Sequence, residues 1–525
     1  MTNFEQLNKS AQDFIEKKEY TQAEVCLMRA LQLKSDDAEV WHNLAGVRMC
    51  QKRFKAAADF FGRQLELDPY DIQAALDMIY AKEWHFIWED FQQDVRSVKE
   101  KMAELDAFST RSMFMDLPHT FEELYTWLLK RHAGDAKLQD IYAQNFTFDH
   151  SNHKIGPKIK VGYFTTDLGP SPCGNVMTAL FENHNHAQFE IHCFATTDLA
   201  KASQKDYGKR LVERQMKCFD FYHDMSKINN EKEMAQAIYD AGIDILIDVN
   251  GVGNKMYRTL AYRPAPVQVD YFGVPSTTGL PYYDYVIGDK FTMPESQRKY
   301  FSEKIKDMPL CYHPADDKPE FGPVFSKEDC FLPEDKVIYC SFVSAFKITE
   351  KYFDMWCRIL KAVPDSVLWL LSREDVDEDN LRHEAIKRGI TPERIIFLPC
   401  MDRPFFLSAL RNADLFLDVE IWQAHSTCLE SLSACVPLLT CTGNSWASRV
   451  PSTMLKTFGL PELVCASEAE YEQKAIAYGL DKEKLAALKE KTKALMSPEN
   501  PLFNMKQYAK WFEDNLMEML HEKLR

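Results

Sequence analysis

The chain lacks the segments that would carry it to or across a membrane. No apolar run reaches the roughly 18 residues that a spanning helix needs, and the start, Met-Thr-Asn-Phe-Glu-Gln, has neither the basic nor the apolar region of a signal peptide. The 14 cysteines are scattered without a C-x-x-C pair, so neither a zinc site nor a disulfide framework is indicated. We therefore expect a cytoplasmic protein with reduced cysteines and no membrane partner.

Positive charge is also scarce. The 63 Lys and Arg residues are outnumbered by 79 Asp and Glu residues, which gives a net charge of −16. Such a charge disfavours non-specific binding to nucleic acid, although it does not exclude one local basic pocket for a phosphate. With 525 residues, of which 46% are hydrophobic and 27% charged, the chain suits about three globular domains.

An internal repeat is present in the first 70 residues. Ala11 and Ala45 are 34 positions apart, and so are Ala23 and Ala57. The second copy has the residue order typical of a tetratricopeptide repeat: Trp41, Leu44, Ala57, Phe61 and Pro69. A generic pair of helical hairpins is the alternative interpretation. Two repeats alone bury little apolar surface, so they must pack against the segments that follow.

Strand-like and helix-like segments alternate from Lys158 onward. Strands are predicted at 160–166, 189–195, 243–249, 267–272, 285–287, 336–342, 366–371, 394–398, 415–418 and 437–440. Helical segments lie between many of them, for example 231–241 and 351–362. This alternation predicts parallel sheets with helices on both faces, in two Rossmann-like halves with a break near 316–333.

Two segments have the composition of ligand-binding loops. After the strand ending at Phe272, a Gly273-Val-Pro turn and a Ser-Thr-Thr run bring backbone amides and hydroxyls to a strand end. The segment Ile421–Glu430 follows the strand 415–418 and opens a helix, whose unpaired amides suit a diphosphate. The alternative for the second segment is a structural capping box, Thr427-x-x-Glu430.

These segments resemble the catalytic region of the O-GlcNAc transferase/SPINDLY family of protein glycosyltransferases (glycosyltransferase family 41). The resemblance continues to the end of the chain and implies an α/β fold of the GT-B type, with two facing Rossmann-like domains preceded by an α-helical tetratricopeptide-repeat region. We accordingly place the repeats at 1–70, a helical junction at 71–157, the N-terminal catalytic half at 158–330, and the C-terminal nucleotide-sugar-binding half with a closing helix at 331–525.

The resemblance implies roles for the residues of the second half. His425, Ser426 and Thr427 match the segment that holds the nucleotide phosphates, and Glu430 matches the ribose-binding acidic residue. Lys347 aligns with the family's essential lysine. A cation at that position stabilises the charge that grows on the departing UDP more than it stabilises the ground state.

The family's base-binding turn aligns with 399–406, where Met401 lies. Arg403 replaces a common lysine, and Phe406 replaces a histidine that packs on the uracil; a phenyl ring can stack there too, and core packing of Phe406 is the alternative. Ser344 stands where a phosphate-contacting glutamine is usual. Arg449 is interpreted as a structural or cleft-lining charge.

The chain departs from the family pattern at the expected general base. The loop that starts at Asp167 usually contains two histidines, and here Ser171 and Asn175 stand in their places. Neither side chain accepts a proton near neutral pH. Deprotonation of the acceptor therefore falls to Asp167 or to the donor's own phosphate, or activity is weak or absent.

Phe272 and Trp422 are bulkier than the residues that often line the sugar pocket of GlcNAc-using members, which suggests a smaller sugar such as glucose or another hexose. We predict an inverting protein glycosyltransferase that needs no metal. It would transfer one sugar from UDP-GlcNAc or a UDP-hexose to Ser or Thr, with Asn as the alternative, on a protein that the repeats present. The alternatives are a GDP-fucose-dependent enzyme and an inactive nucleotide-sugar- or peptide-binding module.

Overall fold

The computed structural model describes residues 2–104, 119–373 and 377–524. Part of the predicted junction, 105–118, lies outside the described residues. Contacts divide the chain into two compact units. The first unit comprises Met1–Leu117, Val343–Lys361 and Leu370–Pro399; the second comprises Pro118–Phe342, Ala362–Trp369 and Cys400–Arg525. The domain boundaries of the sequence analysis stay predictions.

Helices alone form the described part of the chain up to residue 104. They are α1 Asn3–Glu16, α2 Tyr20–Leu33, α3 Ala38–Cys50, α4 Phe54–Leu67, α5 Ile72–Trp84 and α6 Phe91–Glu104. The side chains of Asp37 and Asp71 accept from backbone amides and cap α3 and α5. The alanines that share the 34-residue spacing are fully buried: Ala11, Ala23, Ala45 and Ala57. This confirms the predicted helical repeats, in which small residues let helices approach closely.

The second unit opens with α7 Phe121–Ala133 and α8 Ala136–Ala143 and continues into the first Rossmann-like half. Its further helices are α9 Pro172–Glu182, α10 Leu199–Ala202, α11 Asp206–Met216, α12 Glu231–Asp240 and α13 Tyr257–Leu260. Its strands are β1 Ile159–Thr165, β2 Phe189–Ala195, β3 Phe221–Asp224, β4 Ile245–Asp248, β5 Val267–Asp270, β6 Tyr285–Gly288 and β7 Lys304–Asp307. The sheet has the order β3-β2-β1-β4-β5-β6-β7, and the pairings are parallel.

The remaining elements build the second Rossmann-like half. The strands are β8 Val337–Ser341, β9 Ser366–Ser372, β10 Ile395–Pro399, β11 Leu415–Leu417, β12 Leu438–Cys441 and β13 Val464–Cys465. The helices are α14 Glu350–Ala362, α15 Glu378–Lys387, α16 Arg403–Leu410, α17 Ser426–Ser433, α18 Val450–Phe458, α19 Glu468–Leu480, α20 Lys482–Leu495 and α21 Met505–Leu524. The strand order is β10-β9-β8-β11-β12-β13.

In both sheets the strand order reverses next to the first strand, between β1 and β4 and between β8 and β11. Ligands of open α/β sheets bind outside the carboxyl ends of the strands at such switch points. The predicted site residues follow these strands: Asp167 follows β1, Lys347 follows β8, and His425 follows β11. The topology therefore supports the choice of these segments as ligand-binding.

Helix α21 closes the second unit by packing against the first half. Glu513 accepts from Nδ1 of the buried His184 at 2.9 Å, and the hydroxyls of Tyr508 and Tyr271 share a hydrogen bond of 2.5 Å. All 14 cysteines are free thiols. Across the described ranges, no helix is both long and apolar enough to cross a bilayer.

Two buried carboxyl groups lie side by side at the ends of β4 and β5. Asp248 and Asp270 are register partners, with 0% and 3% of their surface exposed. Tyr283 donates to Asp248 at 2.5 Å, and burial still raises the pKa of Asp248 to about 6. Burial, helped by the nearby charges of Glu303 and Asp248, raises the pKa of Asp270 well above its usual range. Burial therefore favours the protonated form of Asp270 in the folded chain.

We expect the substitution Asp270→Asn to stabilise the chain at pH 8. The folded chain holds the Asp270 proton more tightly than the unfolded chain, so the carboxyl group favours folding below pH ~4 and this contribution is lost as the pH rises. The Tm of the variant should exceed that of the wild type at pH 8, and the difference should shrink toward pH 4.5. Asp140→Asn, at an exposed position of α8, is the control and should show no such trend. An Asp270→Asn Tm below that of the wild type at pH 8 would contradict the assignment.

Candidate nucleotide-sugar site

The N-terminus of α17 has open backbone amides of the kind that bind anions. His425 is the N-cap, and no side chain caps the helix. The backbone amides of Ser426 and Thr427 have no acceptor among the described residues, whereas that of Cys428 donates to Ala424 and His425. The buried carboxylate of Asp418 fixes the preceding loop by accepting from the amides of Val419 and Ala424 at 2.8 and 2.9 Å. Two open amides at a helix start are suited to phosphate oxygens.

His425 is held in place by its neighbours. Its Nε2 donates to the carbonyl of Ala447 at 2.7 Å, so the neutral ring carries its proton on Nε2. The indole of Trp422 stacks on the imidazole, with ring centroids 5.9 Å apart and planes 29° apart. Arg449 fixes the supporting loop through bonds to the carbonyls of Phe291 and Gly443 at 2.9 and 3.0 Å. These bonds agree with the interpretation of Arg449 as a structural charge.

Glu430 does not close a capping box, so that alternative is wrong: the N-cap is His425, and the Glu430 carboxylate turns to another partner. Its Oε1 accepts from Nε of Arg403 at 3.0 Å. The second oxygen, Oε2, has no hydrogen-bond donor among the described residues. A carboxylate oriented by one oxygen and open at the other can accept from a ribose hydroxyl.

The guanidinium of Arg403 joins this helix to the first half. It donates to Asp316 at 2.9 Å and to the hydroxyl of Tyr207 at 3.3 Å, and Tyr207 in turn donates to Asn175 at 2.6 Å. Asn175, which replaces one expected histidine, is thus part of a structural chain of hydrogen bonds. Within the second unit, one continuous hydrogen-bond network therefore connects α16 and α17 to α9 and α11.

The electrostatics of this network follow from burial. Burial raises the pKa of Glu430, and the adjacent Arg403 charge counteracts that shift. For Arg403 burial alone would lower the pKa, but the charges of Glu430, Tyr207 and Asp316 outweigh it and raise the pKa. The pairing therefore favours the charged form of Arg403 and offsets part of the effect of burial on Glu430.

Asp167 lies in the loop between β1 and α9, where Ser171 is only the N-cap of α9 and accepts from the amide of Gly174. The amide nitrogen of Asn250 and the hydroxyl of Thr166 both donate to Oδ2 of Asp167. No described group donates to Oδ1. Asn250 is itself fixed, because its Oδ1 accepts from the amide of Thr166 at 2.8 Å. Asp167 is thus a half-buried carboxylate with one oxygen anchored and the other open.

The loop after β5 packs against the same asparagine. Phe272 has a positive φ of 90°, and its ring meets the edge of His313 with centroids 4.5 Å apart. A Cβ on Gly273 would come within 2.3 Å of the carbonyl of Val249 and 2.7 Å of Cα of Asn250. Glycine is required there because the loop touches the backbone that positions Asp167.

The predicted base-binding turn is neither fully buried nor fully exposed at its two candidate residues. Met401 and Phe406 are both half-buried. The Phe406 ring meets Phe342 edge-on at 5.4 Å, so it belongs to an aromatic cluster and keeps part of its surface exposed. Both interpretations of Phe406, stacking and core packing, stay open.

Lys347 and Ser344 belong to the first unit. They lie at the short 3₁₀-helix Ala345–Lys347, of which Ser344 is the N-cap. The ammonium of Lys347 lies 5.9 Å from the centre of the Phe346 ring. The catalytic and phosphate-contacting roles of these two residues stay predictions. Within the described ranges, no three His, Cys, Asp or Glu side chains are placed to hold a metal ion.

Comparison with known proteins identifies the family. A sequence model of Glycosyl transferase family 41 matches residues 99–323 and 315–512. The chain belongs to glycosyltransferase family 41. It is 28% identical over 452 residues to a probable UDP-N-acetylglucosamine–peptide N-acetylglucosaminyltransferase, SEC, of Arabidopsis thaliana, covering 82% of this chain and 45% of the relative. It is 30% identical over 386 residues to the SPINDLY protein of Solanum lycopersicum with the same description, covering 72% and 40%.

This member of family 41 therefore spans less than half the length of those two relatives. A solved structure of a lysine-to-methionine mutant of the O-GlcNAc transferase from Thermobaculum terrenum matches the whole fold. The TM-score is 0.70 at 22% identity, with 100% of this chain and 99% of that chain covered. The likeness confirms the predicted GT-B architecture.

The sequence did not reveal three residues of the candidate site. Tyr207 and Asp316 bind Arg403, and Asn250 binds Asp167. Asn250 had a usable signal, since it is a polar residue directly after the predicted strand 243–249. Tyr207 and Asp316 had none, because their partner Arg403 lies 196 and 87 residues away in sequence.

We expect Arg403→Lys to weaken UDP binding by about 10-fold, as the loss of one charge-assisted hydrogen bond implies. A lysine ammonium cannot bridge Glu430, Asp316 and Tyr207 in the planar geometry of a guanidinium. Isothermal titration calorimetry with UDP measures the change. The matched control is Arg210→Lys, an arginine of α11 in an exposed pair with Glu320, which should bind UDP as the wild type does. Equal Kd values for all three proteins would exclude a donor-site role for Arg403.

Proposed function

We propose that this chain is an inverting protein glycosyltransferase that transfers one sugar from a UDP-sugar to a serine or threonine hydroxyl of a protein. The observation that carries the proposal is the start of α17, where two open amides lie one turn from a carboxylate with an open oxygen. The descriptions of the curated relatives, which name UDP-N-acetylglucosamine and a peptide, support the donor and acceptor classes.

The donor would bind with its diphosphate at Ser426 and Thr427 and its ribose at Glu430. The helix dipole places partial positive charge at these amides, and hydroxyls of the same residues add donors. Lys347 would add a full positive charge, as its position after β8 and the family motif suggest. These groups act on the charge that develops on the leaving diphosphate, so they lower the barrier more than they tighten ground-state binding. We propose that no metal ion is needed.

In the transfer step the acceptor oxygen attacks C1 of the sugar from the face opposite the diphosphate. The bond between C1 and the β-phosphate oxygen breaks, and its electron pair leaves with UDP. The hydroxyl proton passes to Oδ1 of Asp167, the open oxygen, while Oδ2 stays anchored by Asn250 and Thr166. Atoms and charge balance, and the anomeric configuration inverts.

The sugar is smaller than GlcNAc in our proposal, because Phe272 and Trp422 both stay partly exposed as bulky walls. We further propose that the repeats present the protein acceptor and that the reaction takes place in the cytoplasm. The net charge of −16 supports the absence of a nucleic-acid partner, and 14 free thiols suit a reducing compartment.

Purified wild-type protein should consume a UDP-sugar in the presence of EDTA, and Lys347→Ala should lower kcat by about 10²- to 10³-fold, the cost of losing one transition-state charge contact. The donors compared are UDP-GlcNAc, UDP-glucose, UDP-galactose and GDP-fucose, with release of UDP or GDP measured and acceptor proteins analysed by intact mass. Lys351→Ala, at an exposed lysine of α14 in the same segment, is the matched control and should retain activity.

Each other result excludes one part of the proposal. Preference for UDP-GlcNAc removes the smaller-sugar hypothesis, and turnover of GDP-fucose alone makes the chain a fucosyltransferase. UDP binding without turnover of any donor makes it an inactive binding module. Activity that returns only when Mg²⁺ replaces EDTA contradicts metal independence.

Asp167→Asn should lower kcat by about 10²- to 10⁴-fold, the usual contribution of a general base, with little change in Kd for UDP. The asparagine keeps the size of the side chain and an acceptor oxygen for the Asn250 amide, so the loop should keep its conformation. Asp198→Asn, which only replaces the cap of α10, serves as the control. Full activity of Asp167→Asn would transfer the proton-accepting role to the donor's phosphate.

A further inference from the structure

The segment that carries Lys347 shares a compact unit with the repeat helices. Val343–Lys361 groups with Met1–Leu117, although β8, the strand directly before it, groups with the second unit. Within this first unit, α5 contacts the 3₁₀-helix Ala345–Lys347. The helix directly after the repeats thus contributes to the surroundings of the lysine.

Three groups lie close together at this contact: the indole of Trp84, the ring of Phe346 and the ammonium of Lys347. The indole of Trp84, the last residue of α5, meets the Phe346 ring with centroids 5.6 Å apart and planes 46° apart. The ammonium of Lys347 lies 5.9 Å from the centre of the same Phe346 ring. Phe346 therefore contacts both the indole and the ammonium, so a shift of Trp84 moves the ring that borders the cation.

Trp84 is itself fixed by the repeats. Its ring stacks on Phe54 of α4, with centroids 6.4 Å apart and planes 19° apart, and meets Tyr80 edge-on at 5.7 Å. Only 8% of the residue is exposed, and its indole N–H is buried without a hydrogen-bond partner. An unpaired buried N–H is a cost that a phenylalanine at this position would avoid. The large indole surface is therefore the property that distinguishes this residue.

We propose that Trp84 is a positioning residue for Lys347, so that α5, the helix that follows the repeats, helps to set the place of the cation that stabilises the departing diphosphate. The inference rests on the proposed function of Lys347. A lysine has four rotatable side-chain bonds, and catalysis requires its ammonium at one place. A neighbouring aromatic ring that is itself held in place removes part of that freedom. Because Trp84 packs on Phe54 of the repeats, a change in the repeats can reach the donor reaction without touching the donor.

The test compares Trp84→Leu with Trp88→Leu in the full chain. Trp88 is a matched control, since it is equally buried at 7% and lies in the same unit but packs on Phe353 of α14 instead of Phe346. Hydrolysis of the UDP-sugar without acceptor is measured, which removes any effect of acceptor docking on the repeats. Trp84→Leu should lower kcat by about 10- to 100-fold, the range for a misplaced catalytic group, with KM close to the wild-type value. Trp88→Leu should change neither.

A double-mutant cycle separates positioning from general damage. In a Lys347→Ala background, Trp84→Leu should have no further effect on kcat, because the group that it positions is gone. Equal losses from Trp84→Leu with and without Lys347 would overturn the proposal. Should Trp84→Leu fail to fold, Phe346→Leu is measured in the same cycle, and Trp84→Phe should keep most of the activity.

A second measurement does not depend on turnover. Brief acetylation with acetic anhydride followed by peptide mass spectrometry gives the reactivity of Lys347 relative to Lys351. Trp84→Leu should change this ratio at least about 2-fold, which exceeds ordinary context effects, and Trp88→Leu should not. A changed ratio in a chain that consumes no donor would refute the proposed function and leave the positioning intact. An unchanged ratio together with unchanged kcat would refute the positioning.

Discussion

One guanidinium, that of Arg403, holds the candidate donor site together. It orients Glu430 on α17 and binds Asp316, which lies between the two Rossmann-like halves, and Tyr207 of the first half. Arginine suits this place because its planar fork presents several donors in fixed directions and stays charged when buried. Removal of the guanidinium would leave two carboxylates without their counter-charge, and breaking a buried pair in that way costs about 3–5 kcal/mol. The orientation of Glu430, the candidate ribose ligand, therefore depends on the contacts of Arg403 with the first half.

In the first sheet, a neutral side chain orients the candidate proton acceptor, Asp167. Asn250 uses its oxygen for the amide of Thr166 and its nitrogen for Asp167, so it joins the ends of β1 and β4. Gly273 packs directly on its backbone. One oxygen of Asp167 is satisfied inside the protein while the other is open, which is the arrangement a proton acceptor needs in the absence of a histidine. The replacements at Ser171 and Asn175 therefore leave a carboxylate in the loop, and both serve structural bonds.

The sequence predicted the buried strands and the edge strand β10, and it missed the short edge strands β3, β7 and β13. β1, β2, β4, β8 and β9 are buried along most of their length and are mostly apolar, which is the pattern of parallel strands between helices. The edge strands β3 and β7 were missed because they are short and polar, with Phe221 50% exposed. In the site, helix starts and strand ends could be predicted from local pattern. The partner of Glu430 could not, because nothing local marks a contact between residues 27 positions apart on different helices.

The first unit includes segments from the second Rossmann-like half, and these explain how two repeats can be stable here. Their stacking buries too little surface to be stable alone, and the residues after α5 extend that surface. His85 bonds Asp377 at 2.9 Å, Trp88 packs on Phe353 at 5.3 Å, and the Arg388 guanidinium lies over Trp88 at 5.0 Å. Each contact joins the end of the repeats to the segments 343–361 and 370–399. These contacts give the repeats the additional packing surface that two repeats alone lack.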